Sequence, residues 1–180
     1  MLIDADLSTL LVIDIQAKLN PVMFDAARAP GGAAQLLKGA EILDVPTLVS
    51  EQYPNGLGGT VDALQDLLPQ GGVLEKNAFS CMADVNFRES FDQLGKTQAI
   101  LCGIEAHICV LQTALELLAR GIDVFVVDDA TASRTPENHR AGLERVRDAG
   151  GHIVTVEMVL FEWLKQSTGP EFKQISQLIK

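Results

Sequence analysis

Asp14, Lys76 and Cys109 are the side chains whose types, taken together, suit covalent hydrolysis: a carboxylate to take a proton, an ammonium to support negative charge and a thiol to attack. Asp14 interrupts the apolar run Leu10-Leu11-Val12-Ile13, where a carboxylate is costly to bury without a partner, although a cap of a helix or loop is the ordinary reading of such a residue. Lys76 stands at the matching place after Val73 and Leu74, where a solvated lysine is the ordinary reading. Cys109 lies in Gly103-Ile104-Glu105-Ala106-His107-Ile108-Cys109-Val110, just where an apolar helix begins, although most free cysteines are inert packing. A thiol at a helix start is expected to have its pKa lowered by unpaired N–H groups, and a nearby ammonium adds to the effect. The same N–H groups can hold an oxyanion. Spacing alone leaves catalytic and structural roles both open.

The elements that would position these groups follow from hydrophobic periodicity. Short β-branched runs predict strands over Thr9 to Ile15, Pro46 to Ser50, Gly72 to Lys76, Ala99 to Gly103, Val124 to Val127 and His152 to Thr155. Amphipathic stretches between them predict helices over Ala33 to Leu43, Val85 to Leu94, Val110 to Arg120 and Pro136 to Ala149, with Met158 to Lys165 and Pro170 to Ile179 closing the chain. This alternation predicts an α/β fold, a doubly wound, six-stranded parallel sheet with helices on both faces. Ligands of such sheets bind beyond the carboxyl ends of the strands where the order reverses, so the three side chains are expected to meet in one pocket there.

Composition narrows the class. A chain of 180 residues, 47% of them apolar, suits a single domain, and no Pro-, Gly- or Ser-rich linker divides it. The net charge of -10 and the lack of a basic run argue against nucleic acid as a partner. No run approaches the roughly 18 apolar residues of a membrane span, and Met1 to Leu10 carries acid where a signal peptide carries base. A cytoplasmic location is the expectation, and the odd count of three cysteines fits a reducing compartment. His107, His139 and His152 are scattered without ligand spacing, so no metal is expected. Gly56-Leu57-Gly58-Gly59-Thr60 lacks the ending of a phosphate loop and reads as an active-site flap. Cys102 falls within a strand as core, which leaves Cys81 as the rival nucleophile. Asp128 and Asp129 read as loop and capping residues that Arg134 can join, and none of the three is assigned to catalysis.

Leu11-Val12-Ile13-Asp14-Ile15-Gln16, Glu75-Lys76 with Phe79-Ser80, and Gly103 to Cys109 together resemble the isochorismatase-like cysteine hydrolases. Asp129-Ala130-Thr131-Ala132-Ser133-Arg134 and Glu157-Met158-Val159-Leu160-Phe161-Glu162 resemble later motifs of that family, and Glu51-Gln52-Tyr53-Pro54 is most similar to its isochorismatase domain-containing subgroup. The resemblance implies a triad of Asp14 as general base, Cys109 as nucleophile and Lys76 as their electrostatic support. It also implies a cis peptide between Ile104 and Glu105, with the N–H groups of Glu105 and Cys109 aimed at an oxyanion. Gln16, Tyr53, Phe79 and Ser80, within the matching segments, are the candidate substrate-binding residues.

Departures from the pattern sharpen the expectation. Where metal-dependent relatives carry histidines after the second strand, this chain reads Ser50-Glu51-Gln52-Tyr53-Pro54-Asn55-Gly56. The cysteine points away from vinyl-ether hydrolysis, the reaction that names the family. The expected activity is therefore metal-independent hydrolysis of a small molecule at an amide or related C–N bond, with no cofactor and in a homo-oligomer. The competing readings are a vinyl-ether hydrolase and a non-catalytic scaffold or redox-responsive thiol protein.

Overall fold

Six parallel strands form one sheet in the order β3-β2-β1-β4-β5-β6 in the computed structural model, which describes residues 1–179. The strands are β1 (Ser8–Ile13), β2 (Thr47–Gln52), β3 (Val73–Lys76), β4 (Gln98–Ile104), β5 (Asp123–Ala132) and β6 (His152–Val154). The expected doubly wound fold is present, and the order reverses between β1 and β4. β1 and β4 are buried along their whole length, which is why Leu10 to Ile13 and Ala99 to Cys102 read as continuous apolar runs and not as alternation.

Helices cover both faces: α1 (Arg28–Ile42), the single turns α2 (Pro54–Leu57) and α3 (Asp62–Gln65), α4 (Val85–Leu94), α5 (Leu111–Ala119), α6 (Pro136–Asp148), α7 (Val156–Leu164) and α8 (Pro170–Leu178). Two apolar clusters result, one under α1, α7 and α8 with Leu36, Phe125, Leu160 and Trp163, the other under α4 and α5 with Phe87, Phe91, Leu101 and Leu117. α1 starts five residues ahead of the expected Ala33, because Pro30 sits in its first turn, where its missing N–H costs nothing. Gly32 is then needed for contact with the sheet, since a Cβ there would lie 2.6 Å from that of Ala130.

Two departures from regular structure shape the edge where the site lies. β5 runs beyond the expected Val127, and its register with β4 jumps, so that Leu101 faces Val126 but Gly103 faces Thr131. Such a bulge re-aims the residues that follow it, and here it brings Ser133 and Arg134 beside the end of β4. Gly103 itself has φ 139°, and a Cβ would run into the backbone of Ile13 on β1. Gly103→Ala should therefore cost about 3 kcal/mol or more through strain and overpacking. Urea denaturation of the purified variant checks this, and wild-type stability would show that β1 and β4 do not need that approach.

Candidate active site

Asp14 follows β1 at φ 55°, a left-handed conformation rare outside glycine. Its carboxylate is fully buried and held from two sides: Ser50 Oγ donates to Oδ1 at 2.7 Å, and Lys76 Nζ donates to Oδ2 at 2.8 Å. Lys76 ends β3, and its ammonium also donates to Gln52 Oε1 at 2.7 Å and to the carbonyls of Ala78 and Phe79 at 3.1 Å. With more acceptors than protons, it has none left for a ligand. The buried pair is thus a rigid device that holds the Asp14 carboxylate in place. Ser50 and Gln52, which complete it, were not among the candidate site residues of the sequence. Their signal was position alone, at alternate places on β2 that point to the same face as Asp14.

Cys109 lies on the turn between β4 and α5, in a short π-helical stretch over Ala106–Val110. π-type turns recur where a fold presents a functional group. The thiol is within electrostatic reach of both Asp14 and Lys76. Its acidity, however, is opposite to the sequence expectation. Burial pushes the Cys109 thiol well above the ordinary range, and the Asp14 carboxylate pushes the same way, with Lys76 only partly offsetting them. The Cys109 side chain is 3% exposed. Burial also raises Cys81, to about 11, and raises Cys102. Cys81 is tied to the same turn, since its N–H donates to Thr113 Oγ1 at 2.9 Å and that hydroxyl donates to the Cys109 carbonyl at 2.7 Å.

A second correction concerns the peptide ahead of the turn. The bond between Ile104 and Glu105 is trans, and the chain reverses by placing Glu105 at φ 57° and ψ 54°. A left-handed residue thus provides the sharp change of direction at the place where the resemblance implied a cis bond. Of the non-glycine residues with positive φ, Asp14, Tyr53 and Glu105 all lie at the carboxyl edge of the sheet. Clustering of such conformations marks functional sites, where the surrounding packing must over-determine them.

The four candidate substrate-binding residues divide. Gln16 is fully buried, and its amide donates to the carbonyls of Gln52 and Gly58 and accepts from the Gln52 N–H, which leaves no donor for a ligand. Ser80 is likewise committed, donating to Glu116 Oε2 at 2.8 Å and capping Met82. Both fasten the site and do not face it. Tyr53 and Phe79 are each 55% exposed. Tyr53 lines a cavity of about 370 Å³ with Lys76, Asn77 and Asn55.

Segments near the site have specific ties. The Gly56 to Thr60 stretch, expected as a flap, is anchored by Glu51 Oε1, which accepts from both the N–H and the hydroxyl of Thr60 at 2.6 and 2.7 Å. Asp129 caps α7 by accepting from the Val156 N–H at 2.8 Å, and Asp128 pairs with Arg28 at 3.1 Å. His107 bonds Ser133 Oγ at 3.0 Å, His139 bonds Thr131 at 3.0 Å, and His152 stacks on Phe125. Among the described residues no three His, Cys, Asp or Glu side chains gather as a metal-binding set. No helix among them is long and apolar enough to cross a membrane.

The sequence and fold have counterparts in known proteins. The isochorismatase domain matches residues 8–158. The chain belongs to the isochorismatase family. Isochorismatase domain-containing protein 2 of Danio rerio is 38% identical over 175 residues, which span 96% of this chain and 86% of that protein. The secreted isochorismatase effector Isc1 of Phytophthora sojae is 38% identical over 177 residues, spanning 96% of this chain and 84% of the relative. A solved structure of the MAR1 ribonuclease from Caenorhabditis elegans superposes with a TM-score of 0.93 at 34% identity, over 99% of this chain and 92% of that one. As an isochorismatase-family protein the chain is a hydrolase, and the domain match spans Asp14, Lys76 and Cys109 together.

Proposed function

We propose that this isochorismatase-family hydrolase cleaves an amide or related C–N bond of a small molecule through a covalent Cys109 intermediate, without a metal. The observation that carries the reading is the buried chain from Ser50 through Asp14 to Lys76, within electrostatic reach of the Cys109 thiol. A carboxylate held that rigidly next to a thiol is costly to bury, and taking the thiol proton during attack is the chemistry it suits.

In this mechanism Cys109 Sγ bonds to the carbonyl carbon while its proton passes to Asp14. The carbonyl π electrons move to oxygen, and the backbone N–H groups of Glu105 and Cys109 stabilise that oxyanion. Collapse breaks the C–N bond, and the departing nitrogen takes the proton from Asp14. Water then attacks the thioester, again giving its proton to Asp14, and the second collapse releases the acid as the thiol recovers that proton. Lys76 stays charged throughout and holds the carboxylate. Tyr53 and Phe79, exposed on the same edge, supply apolar surface for the substrate. Phe24, 71% exposed, is apolar surface that a homo-oligomer would cover. Three free thiols fit a reducing compartment and support a cytoplasmic protein.

The test is a panel of small primary amides, enol ethers and single-stranded RNA, assayed with wild type and Cys109→Ala. Hydrolysis of an amide by wild type alone, with a mass increase on Cys109 in quenched protein, is expected. Cys109-independent cleavage, or cleavage confined to enol ethers or RNA, would overturn the reading; the net charge of -10 already disfavours a polyanion. Turnover should also survive EDTA unchanged, because Glu51, the acid nearest the place where metal-dependent relatives hold their ion, is committed to Thr60. Loss in chelator with recovery in zinc would show a metal requirement.

A further inference from the structure

We infer that Arg134 is a positioning residue for the reaction at Cys109, acting through the buried carboxylate of Glu105 and not through the substrate. The inference rests on the cysteine-hydrolase reading above. Glu105 opens the turn that carries Cys109, and its carbonyl accepts from the N–H groups of Ile108 at 2.8 Å and Val110 at 3.4 Å. Any rotation of this residue therefore moves the whole turn, and with it the N–H aimed at the oxyanion. Its left-handed conformation at φ 57° is not one that a glutamate adopts unaided.

The side chain provides the restraint. Its carboxylate is 4% exposed, and Arg134 Nε donates to Oε1 at 2.7 Å. The other oxygen, Oε2, is buried with no hydrogen-bond partner among the described residues. His107 Nδ1 stands 3.6 Å from it, too far for a good bond, and that nitrogen is engaged with Ser133 Oγ at 3.0 Å. Arg134 is thus the hydrogen-bonding anchor of a carboxylate that is otherwise costly to bury. The bulge in β5 places it there, since pairing of Gly103 with Thr131 and of Ile104 with Ala132 carries the residues that follow β5 past the end of β4. The arginine side chain is 57% exposed on its outer side, so it clamps the turn from the rim.

The experiment uses 4-nitrophenyl acetate, whose hydrolysis passes through a tetrahedral oxyanion, and iodoacetamide, whose displacement by sulfur forms none. Arg134→Gln should lower kcat for the ester roughly 10- to 100-fold, as misplacing a transition-state donor does, with little change in KM. Its rate of Cys109 alkylation by iodoacetamide, mapped by mass spectrometry, should stay within about twofold of wild type. Glu105→Gln should show a similar loss, and the double variant should lose no more than the larger single loss, because the two residues act as one unit. An arginine that contacts substrate would raise KM and keep its effect in the Glu105→Gln background, and either result would overturn the inference. Should Arg134→Gln fail to fold, the double variant, which buries no unpaired charge, carries the test: wild-type kcat in it overturns the inference. Equal ester hydrolysis by wild type and Cys109→Ala overturns the cysteine-hydrolase reading itself, whereas Cys109-dependent hydrolysis at wild-type kcat in Arg134→Gln overturns the inference alone.

Discussion

Cys109→Ser should reduce turnover by roughly three orders of magnitude or more while leaving the fold intact, and Cys81→Ser and Cys102→Ser should remain active. The argument is one of acidity and access. Burial and the Asp14 carboxylate both push the Cys109 thiol pKa upward. In the proposed mechanism proton transfer to Asp14 is therefore part of the barrier, and a serine hydroxyl, far less acidic than a thiol, adds to it. Geometry does not compensate, because serine occupies the same turn with the same base. Access, not acidity, selects Cys109 over Cys81, because the Cys81 thiol is raised less than that of Cys109. Cys109 is 3% exposed while Cys81 and Cys102 are fully buried, so iodoacetamide should mark Cys109 first in the native protein. Full activity in Cys109→Ser, together with preferential labelling of Cys81, would move the nucleophile to Cys81, which shares the Asp14 and Lys76 environment.

Lys76→Met should destabilise the protein by about 3–5 kcal/mol, the cost of leaving one partner of a buried ion pair alone. Both side chains of the pair are completely buried, so solvent neither screens the interaction nor relieves the orphaned Asp14 carboxylate. The loss also strands Gln52 Oε1 and the carbonyls of Ala78 and Phe79, which accept from the same ammonium. Urea denaturation gives the difference directly. Asp14→Leu combined with Lys76→Met removes both charges and should recover most of the stability while hydrolysing nothing. That contrast separates a pair kept for folding from one kept for chemistry. A loss under about 1 kcal/mol in the single variant would mean that water reaches the pair and that its rigidity is overstated.

Much of the architecture was legible because parallel strands buried on both faces must be apolar throughout, and the helices beside them must show a stripe. Val85–Leu94 matched its expected limits because Asp84 caps it by accepting from the Phe87 N–H and Gly95 ends it in a left-handed conformation. α1 was underestimated because Ala-Pro-Gly-Gly reads as a breaker until Ala130 is placed against Gly32. The far half of β5 was missed because Asp128 and Asp129 look like loop residues, and only the bulge lets them sit inside a strand.

The chain order alone determined that Asp14, Lys76 and Cys109 each stand where an apolar segment ends, and a parallel sheet gathers such ends on one edge. That reasoning needs only periodicity and topology, so it survives without coordinates. Distance-dependent properties belong to the tertiary structure. Whether the thiol's pKa falls or rises depends on the balance between a helix start, an ammonium, a carboxylate and burial, and the fold tips it upward. Gln16 and Ser80 proved to be committed to internal hydrogen bonds, while Ser50, Gln52 and Arg134 proved to hold the site. These bonds join residues 29 to 36 apart for all but Gln52 with Lys76, which are 24 apart. A hydrogen bond across such separations has no local signature, because it exists only once the sheet has brought its ends together.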